Sequence, residues 1–213
     1  MMTPQRTAAL FTIFQNTHCP FVFLNCYSMH NWERSDAPFH PAFEFLSDTH
    51  KADYLRCYLM HHYGGGYTDI KQTFARWDNL FETLKNSSKL GLGYTELGPD
   101  SVAQLPGELG YELKENYQSL IGLCAFIFKK DTELTNRWYQ RTHDLLNCKY
   151  DALRANPARH QQDQSGAQFS DGTVSSYPLK WTELLGDIFH PLIYEFRTEI
   201  VHGAIAPHFH GYR

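Results

Sequence analysis

The chain lacks any apolar run near the roughly 20 residues that a membrane-spanning helix needs, so no transmembrane segment is expected. It has no long basic tract, and its 23 acidic residues exceed its 19 basic ones, giving a formal charge of −4 that argues against a nucleic-acid partner. The N-terminus lacks the basic–apolar–small succession of a signal peptide. The five cysteines are an odd number, scattered and without a CxxC, as in a reduced protein with structural thiols. The location expected is cytoplasmic, with or without peripheral attachment to a membrane. No HExxH supports a zinc hydrolase, and no GK[ST] follows the only glycine triplet, which is therefore not a P-loop. Internal repeats and low-complexity tracts are also missing.

What is present suits one domain with a substantial core: 213 residues, of which fifteen are Phe, thirteen Tyr and four Trp. Periodicity predicts helices over 5–16, 77–84, 132–146 and 178–189, the first burying Ala8, Leu10, Phe11 and Phe14. Short apolar runs predict strands at 21–24 and 90–95, and 119–128 reads as the central strand. Residues 96–117, rich in Gly, Pro and acids, read as loop. The polar stretch 155–176 reads as a disordered segment or a functional lid. Strands interleaved with helices predict an α/β domain with a mixed central sheet flanked by helices.

The most informative stretch is 47–71, SDTHKADYLRCYLMHHYGGGYTDIK. Ser47, Asp48 and Thr49 are N-cap candidates for a helix whose buried face is expected to carry Ala52, Leu55, Tyr58, Leu59 and His62. Gly64 suits the left-handed residue that ends the helix, and Gly65 and Gly66 suit a sharp turn or a close approach to the backbone. Beyond it, strand alternation puts Tyr67, Asp69 and Lys71 on one face. Asp53 and Arg56, three residues apart, share one side of the helix. Two acid–base pairs thus flank a glycine corner, a site-like arrangement.

The residues KADYLR…YGGGYTD resemble the nucleotide-sugar signature of DXD glycosyltransferases, in particular glycosyltransferase family 32 and the capsular-polysaccharide-synthesis group. The resemblance runs from about residue 5 to the C-terminus, but only 47–71 is specific. It implies a single GT-A-like domain over 1–213, without the strand that usually opens that fold. It also implies transfer of a sugar from a UDP- or GDP-sugar to a hydroxyl of a glycan or glycoconjugate, in surface polysaccharide or glycan synthesis. By the same resemblance, Asp53, Arg56, Gly65, Gly66, Tyr67, Asp69 and Lys71 bind the donor, and Asp69 contacts a Mn²⁺ or Mg²⁺ ion directly or through water.

The sequence departs from the family where the second DXD acid should stand, because Lys71 occupies that position. Hard cations take oxygen ligands, and an ammonium cannot be one. Either Lys71 replaces the metal by aiming its own charge at the diphosphate, or Asp69 keeps an ion with help from His202 or His208 in the C-terminal tail while Lys71 points elsewhere. A degenerate domain that binds a nucleotide sugar without turning it over is the alternative from another functional class.

Glu183 and Asp187, four apart on the expected 178–189 helix, are the candidate acids for activating an acceptor or stabilising the reacting centre. A solvated helix face explains them equally well. Asn116 and Tyr117 are weaker acceptor-site candidates. Trp77, Trp138 and Trp181 read as core, and Trp32 as a ring that could stack on a base or sugar.

Overall fold

The computed structural model describes residues 2–210. Helix α1 (Pro4–Asn16) begins where the Thr3 hydroxyl accepts from the Arg6 amide and Pro4 sets the first turn. It buries Ala9 and Ile13, whereas Phe11 and Phe14 face outward, one register away from the expected face. The strand expected at 21–24 does not form. Those residues take no regular secondary structure and join no sheet, Val22 and Phe23 are exposed, and Phe21 packs against Phe14 with centroids 5.1 Å apart.

Helix α2 (Asp48–His62) is capped by Ser47 and runs into β1 (Gly65–Thr68) through Gly64, whose φ of +66° takes the left-handed turn anticipated for it. Then follow α3 (Asp78–Lys85), β2 (Gly91–Thr95), α4 (Gly107–Glu115), β3 (Ile121–Phe128), α5 (Glu133–Ala155), α6 (Gly186–Glu195) and β4 (Ile200–Val201). The four strands form one open mixed sheet in the order β1-β3-β2-β4. β3 pairs antiparallel with both β1 and β2, and β2 pairs parallel with β4. The domain is α/β, and β3 is the central strand the apolar run 119–128 predicted.

Phe126 and Phe128 of β3 meet Trp138 of α5 and Phe189 of α6, the last two with ring centroids 4.8 Å apart. These rings are fully buried and tie the sheet to its helical layer. Helix α2 lies on α5 through a second cluster that includes Tyr54, Tyr58 and Leu146.

Three segments differ from their sequence reading. Residues 96–117 contain α4, whose Leu113 is fully buried. The helix expected over 178–189 starts only at Gly186. Residues 180–185 form turns in which the Glu183 carboxylate accepts from the Lys180 amide, and Trp181 swings out to 45 % exposure. The polar stretch 155–176 is pinned by a fully buried acid, Asp163, which accepts from Ser175 Oγ at 2.6 Å and from the Arg159 amide at 2.9 Å. Among the described residues, no helix is long and apolar enough to cross a membrane.

Candidate functional site

Sheet register builds the site. Thr68 of β1 lies opposite Ala125 of β3, so the next residue, Asp69, falls beside Cys124, and the Asp69 amide donates to the Cys124 carbonyl at 2.8 Å. There the strand stops. The Lys71 amide donates to the Asp69 carbonyl at 2.7 Å, an i to i+2 bond that closes a three-residue γ-type turn. The turn, rather than continued strand alternation, brings the side chains of Asp69 and Lys71 together.

Asp69 is the hub. Its Oδ1 accepts from Tyr67 Oη at 2.6 Å and from Arg56 Nη2 at 3.3 Å, and its Oδ2 from Lys71 Nζ at 2.7 Å. Arg56 also lies 3.4 Å from Asp53 Oδ1, reaches the Leu123 carbonyl at 3.5 Å, and spreads over the Tyr67 ring at 4.4 Å. Lys71 Nζ touches Cys124 Sγ at 2.7 Å and sits 5.5 Å from the Phe209 ring. Asp53, Arg56, Tyr67, Asp69 and Lys71 therefore converge as one cluster, with α2 and the β1 edge supplying opposite sides. Cys124 and the Leu123 carbonyl are members the sequence reading missed, because only the β1–β3 register places them.

The cluster is poorly hydrated, and its ionisation reflects that. Burial pushes the Asp53 carboxyl up to about 7, with Asp69 adding to the shift and Arg56 opposing it. Burial would raise Asp69 too, but Arg56, Lys71 and the Tyr67 hydroxyl together hold it below the ordinary carboxyl value. For Lys71, burial favours the neutral amine and is outweighed by Asp69, so the pKa rises and the ammonium persists. With Asp53 protonated, the two cations and the Asp69 anion leave one net positive charge.

Those contacts do not suit a divalent cation. Asp69 has both oxygens committed to protonated donors, and two of its partners are cations. Even at a moderate effective dielectric, an ion held there would face repulsion on the order of several kcal/mol from each neighbour. Of the C-terminal histidines, His202 places Nε2 3.2 Å from the Arg197 carbonyl and leaves Nδ1 buried without a partner among the described residues, and exposed His208 packs by its ring on Phe74 and His210. Among the described residues, no group of three or more His, Cys, Asp or Glu side chains is arranged to hold a metal.

The glycine corner is explained largely from within the chain. A Cβ on Gly66 would lie 2.7 Å from the Trp77 ring, and one on Gly64 would lie 2.8 Å from the Lys130 amide. Gly65 alone opens onto free space, at φ +98°.

A cleft of about 660 Å³ is lined in part by Leu123, whose carbonyl Arg56 reaches, but by none of Asp53, Arg56, Tyr67, Asp69 and Lys71. Its walls come from 100–104, Pro106, Leu123, Gln164 and Ser165, residues 180–182, and the start of α6. The 96–106 wall is anchored by a buried pair. The Ala103 amide donates to His190 Nδ1 at 3.0 Å, so Nε2 carries the proton and donates to Glu96 Oε1 at 3.2 Å. Trp181 and Asp187 line the cleft, and Asp187 Oδ1 is buried with no hydrogen-bond partner among the described residues.

Glu183 is not on the α6 helix with Asp187. It pairs with Lys149 at 2.9 Å and does not line the cleft. Trp32 packs edge-on against Tyr63, and Trp32, Asn116 and Tyr117 all lie outside the cleft lining. Compared with known proteins, the chain matches no family model, no curated protein and no solved structure.

Proposed function

We propose that the chain is a GT-A-like glycosyltransferase that moves a sugar from a nucleotide-diphosphate donor, a UDP- or GDP-sugar, to a glycan hydroxyl without depending on a divalent cation. The observation that carries this reading is the convergence on Asp69 of Arg56 and Lys71, both protonated and both largely buried, beside a cleft large enough for a sugar. Loss of a diphosphate leaving group needs positive charge fixed in place beforehand, and cations held by a half-buried carboxylate meet that need with little reorganisation. The chain's resemblance to DXD transferases over 47–71 supplies the substrate class. Asp69 positions the two cations, Arg56 and Lys71 neutralise the diphosphate, and Asp187, which lines the cleft, takes the acceptor's proton.

The test is a thermal-shift panel of UDP, GDP, CMP and dTDP sugars, followed by donor hydrolysis in EDTA. A stabilising donor should shift the melting temperature whether or not Mn²⁺ is present, since a ligand at 100 times its Kd stabilises by about 2.7 kcal/mol. Silence from every donor would overturn the reading. Turnover lost in EDTA and restored by Mn²⁺ would overturn its metal-free part. Binding without turnover would favour the non-catalytic nucleotide-sugar domain.

A further inference from the structure

Cys124 and Lys71 meet more closely than a hydrogen bond to sulfur requires. Their Nζ–Sγ separation is 2.7 Å, the short end of the range even for N–H···O, although sulfur is the larger atom. The approach is held from both backbones. The Asp69 amide bonds the Cys124 carbonyl, the γ-type turn fixes Lys71 relative to Asp69, and the Cys124 amide donates to Tyr94 Oη at 3.3 Å. One oxygen joined by single bonds to nitrogen and sulfur, with an ordinary bent angle, spans about this separation. A bridge would therefore need little movement of either residue. Cys124 is partly exposed, so a small oxidant can reach it.

We propose that Lys71 and Cys124 form a reversible N–O–S cross-link when the protein is exposed to hydrogen peroxide. This proposal does not rest on the transferase reading. The balance is Lys–NH₃⁺ + Cys–SH + 2 H₂O₂ → Lys–NH–O–S–Cys + 3 H₂O + H⁺. Two O–O bonds break, and one S–O and one N–O bond form. Two electrons leave the sulfur, which ends at the sulfenate level, and two leave the nitrogen, which ends at the hydroxylamine level; the two peroxides take all four. Asp69 Oδ2, 2.7 Å from Nζ, is the near acceptor for protons leaving the amine. Burial and Asp69 hold the Cys124 thiol above its ordinary pKa, with Lys71 pulling the other way, so the cross-link answers sustained rather than momentary exposure. Once formed, it removes the Lys71 ammonium from Asp69.

The experiment treats the full chain, with exposed Cys26 and Cys148 changed to Ser, with hydrogen peroxide and reads tryptic peptides by mass spectrometry. The expected product joins the peptides of Lys71 and Cys124 with a gain of about 14 Da (one oxygen gained, two hydrogens lost), blocks cleavage after Lys71, and disappears on reduction. Lys71→Arg in the same background should abolish the product and leave Cys124 oxidation to proceed alone. Oxygen added to Cys124 with Lys71 unlinked, at the same rate in both proteins, would overturn the proposal. So would a linked product lighter by about 2 Da, which would be a direct S–N bond where cleavage after Lys71 is blocked and a disulfide to Cys57 of the same peptide where it is not. The measurement on the Lys71-containing protein decides the matter even where the Arg variant fails to fold.

Discussion

The Lys71 ammonium and the Asp69 carboxylate, two positions apart in the chain, meet at 2.7 Å because the backbone between them closes a γ-type turn instead of continuing as strand. In an extended segment these side chains would share a face about two residue rises apart, and the lysine would be free to point at solvent. Closed in this way, Lys71 is 6 % exposed and belongs to the site's internal charge balance.

Replacing Lys71 by Met keeps the volume and removes that charge. Asp69 retains Arg56 but loses its shortest cationic contact, and the variant should be less stable by about 1–3 kcal/mol, the range for leaving a partly buried charge with fewer partners. The sign with pH follows from the lowered Asp69 pKa. Its contribution is present above the ordinary carboxyl value and is lost as pH falls through the folded-state value. Urea denaturation of both proteins between pH 3 and 7 should therefore show the gap widest near neutrality and closing in acid. A gap independent of pH would mean that Lys71 acts through packing alone.

Asp53 has the opposite linkage. Its folded pKa is raised from 3.8 to about 7, so the native state binds a proton that the unfolded chain has already released, and wild-type stability falls as pH rises through that interval. Asp53→Asn is isosteric and lacks the titration. Relative to wild type, the variant should gain stability steadily from pH 4 to 7 and then level off. A constant difference would show that Arg56 keeps Asp53 ionised throughout.

The same physics marks what could be read from the residues and what could not. The Ser47 cap, the apolar run of β3 and the glycine that ends α2 are local signals, and each fell within a residue or two of its expected place. The helix expected at 178–189 failed because Leu184 and Leu185 keep helical spacing while the Glu183 carboxylate captures the Lys180 amide and sets a turn instead. Asp53, Arg56, Tyr67, Asp69 and Lys71 were legible because they lie in one short stretch on two adjoining elements. Cys124, Glu96 and His190 were not, since only strand register and the folding of 96–106 onto α6 bring them into place. The glycine triplet was over-read, in that Trp77 fills the space beside Gly66.

That contact makes Gly66 a packing residue. Gly66→Ala forces its new methyl against the Trp77 ring and should destabilise by about 1–3 kcal/mol through overpacking. Gly65→Ala meets no neighbour but must hold φ near +98°, a backbone strain also on the order of 1–3 kcal/mol. A second change, Trp77→Leu, separates the two. It should recover part of the loss at Gly66, where ring and methyl collide, and none at Gly65.

Burial, with His40 and His62 nearby, lowers the His143 pKa to about 4, and its Nε2 lies 3.2 Å from Tyr54 Oη between α2 and α5. A histidine kept neutral in the fold adds stability that is complete above its ordinary 6.5 and is lost as pH falls toward 4. His143→Gln should flatten the stability profile across that window in urea titrations. An unchanged slope would assign the acid sensitivity to the other histidines of the same layer.

Asp187 and Glu183, which looked like equivalent acids on one helix face, are expected to separate in function. Glu183→Gln disturbs a partly exposed pair with Lys149 and should cost at most about 1 kcal/mol of stability, leaving transfer intact. Asp187→Asn removes the carboxylate whose Oδ1 has no partner among the described residues, so it should be close to neutral for folding. Under the transferase reading it should lower kcat for transfer to an acceptor by about 10²–10⁴-fold, the usual contribution of a general base. Under the same reading, donor affinity in the thermal-shift assay should be unchanged, because that reading gives the donor to Arg56 and Lys71 rather than to Asp187. Trp181→Ala, at the cleft, should raise the acceptor KM and leave kcat near wild type. Equal losses from Glu183→Gln and Asp187→Asn would place the reacting hydroxyl elsewhere than this cleft.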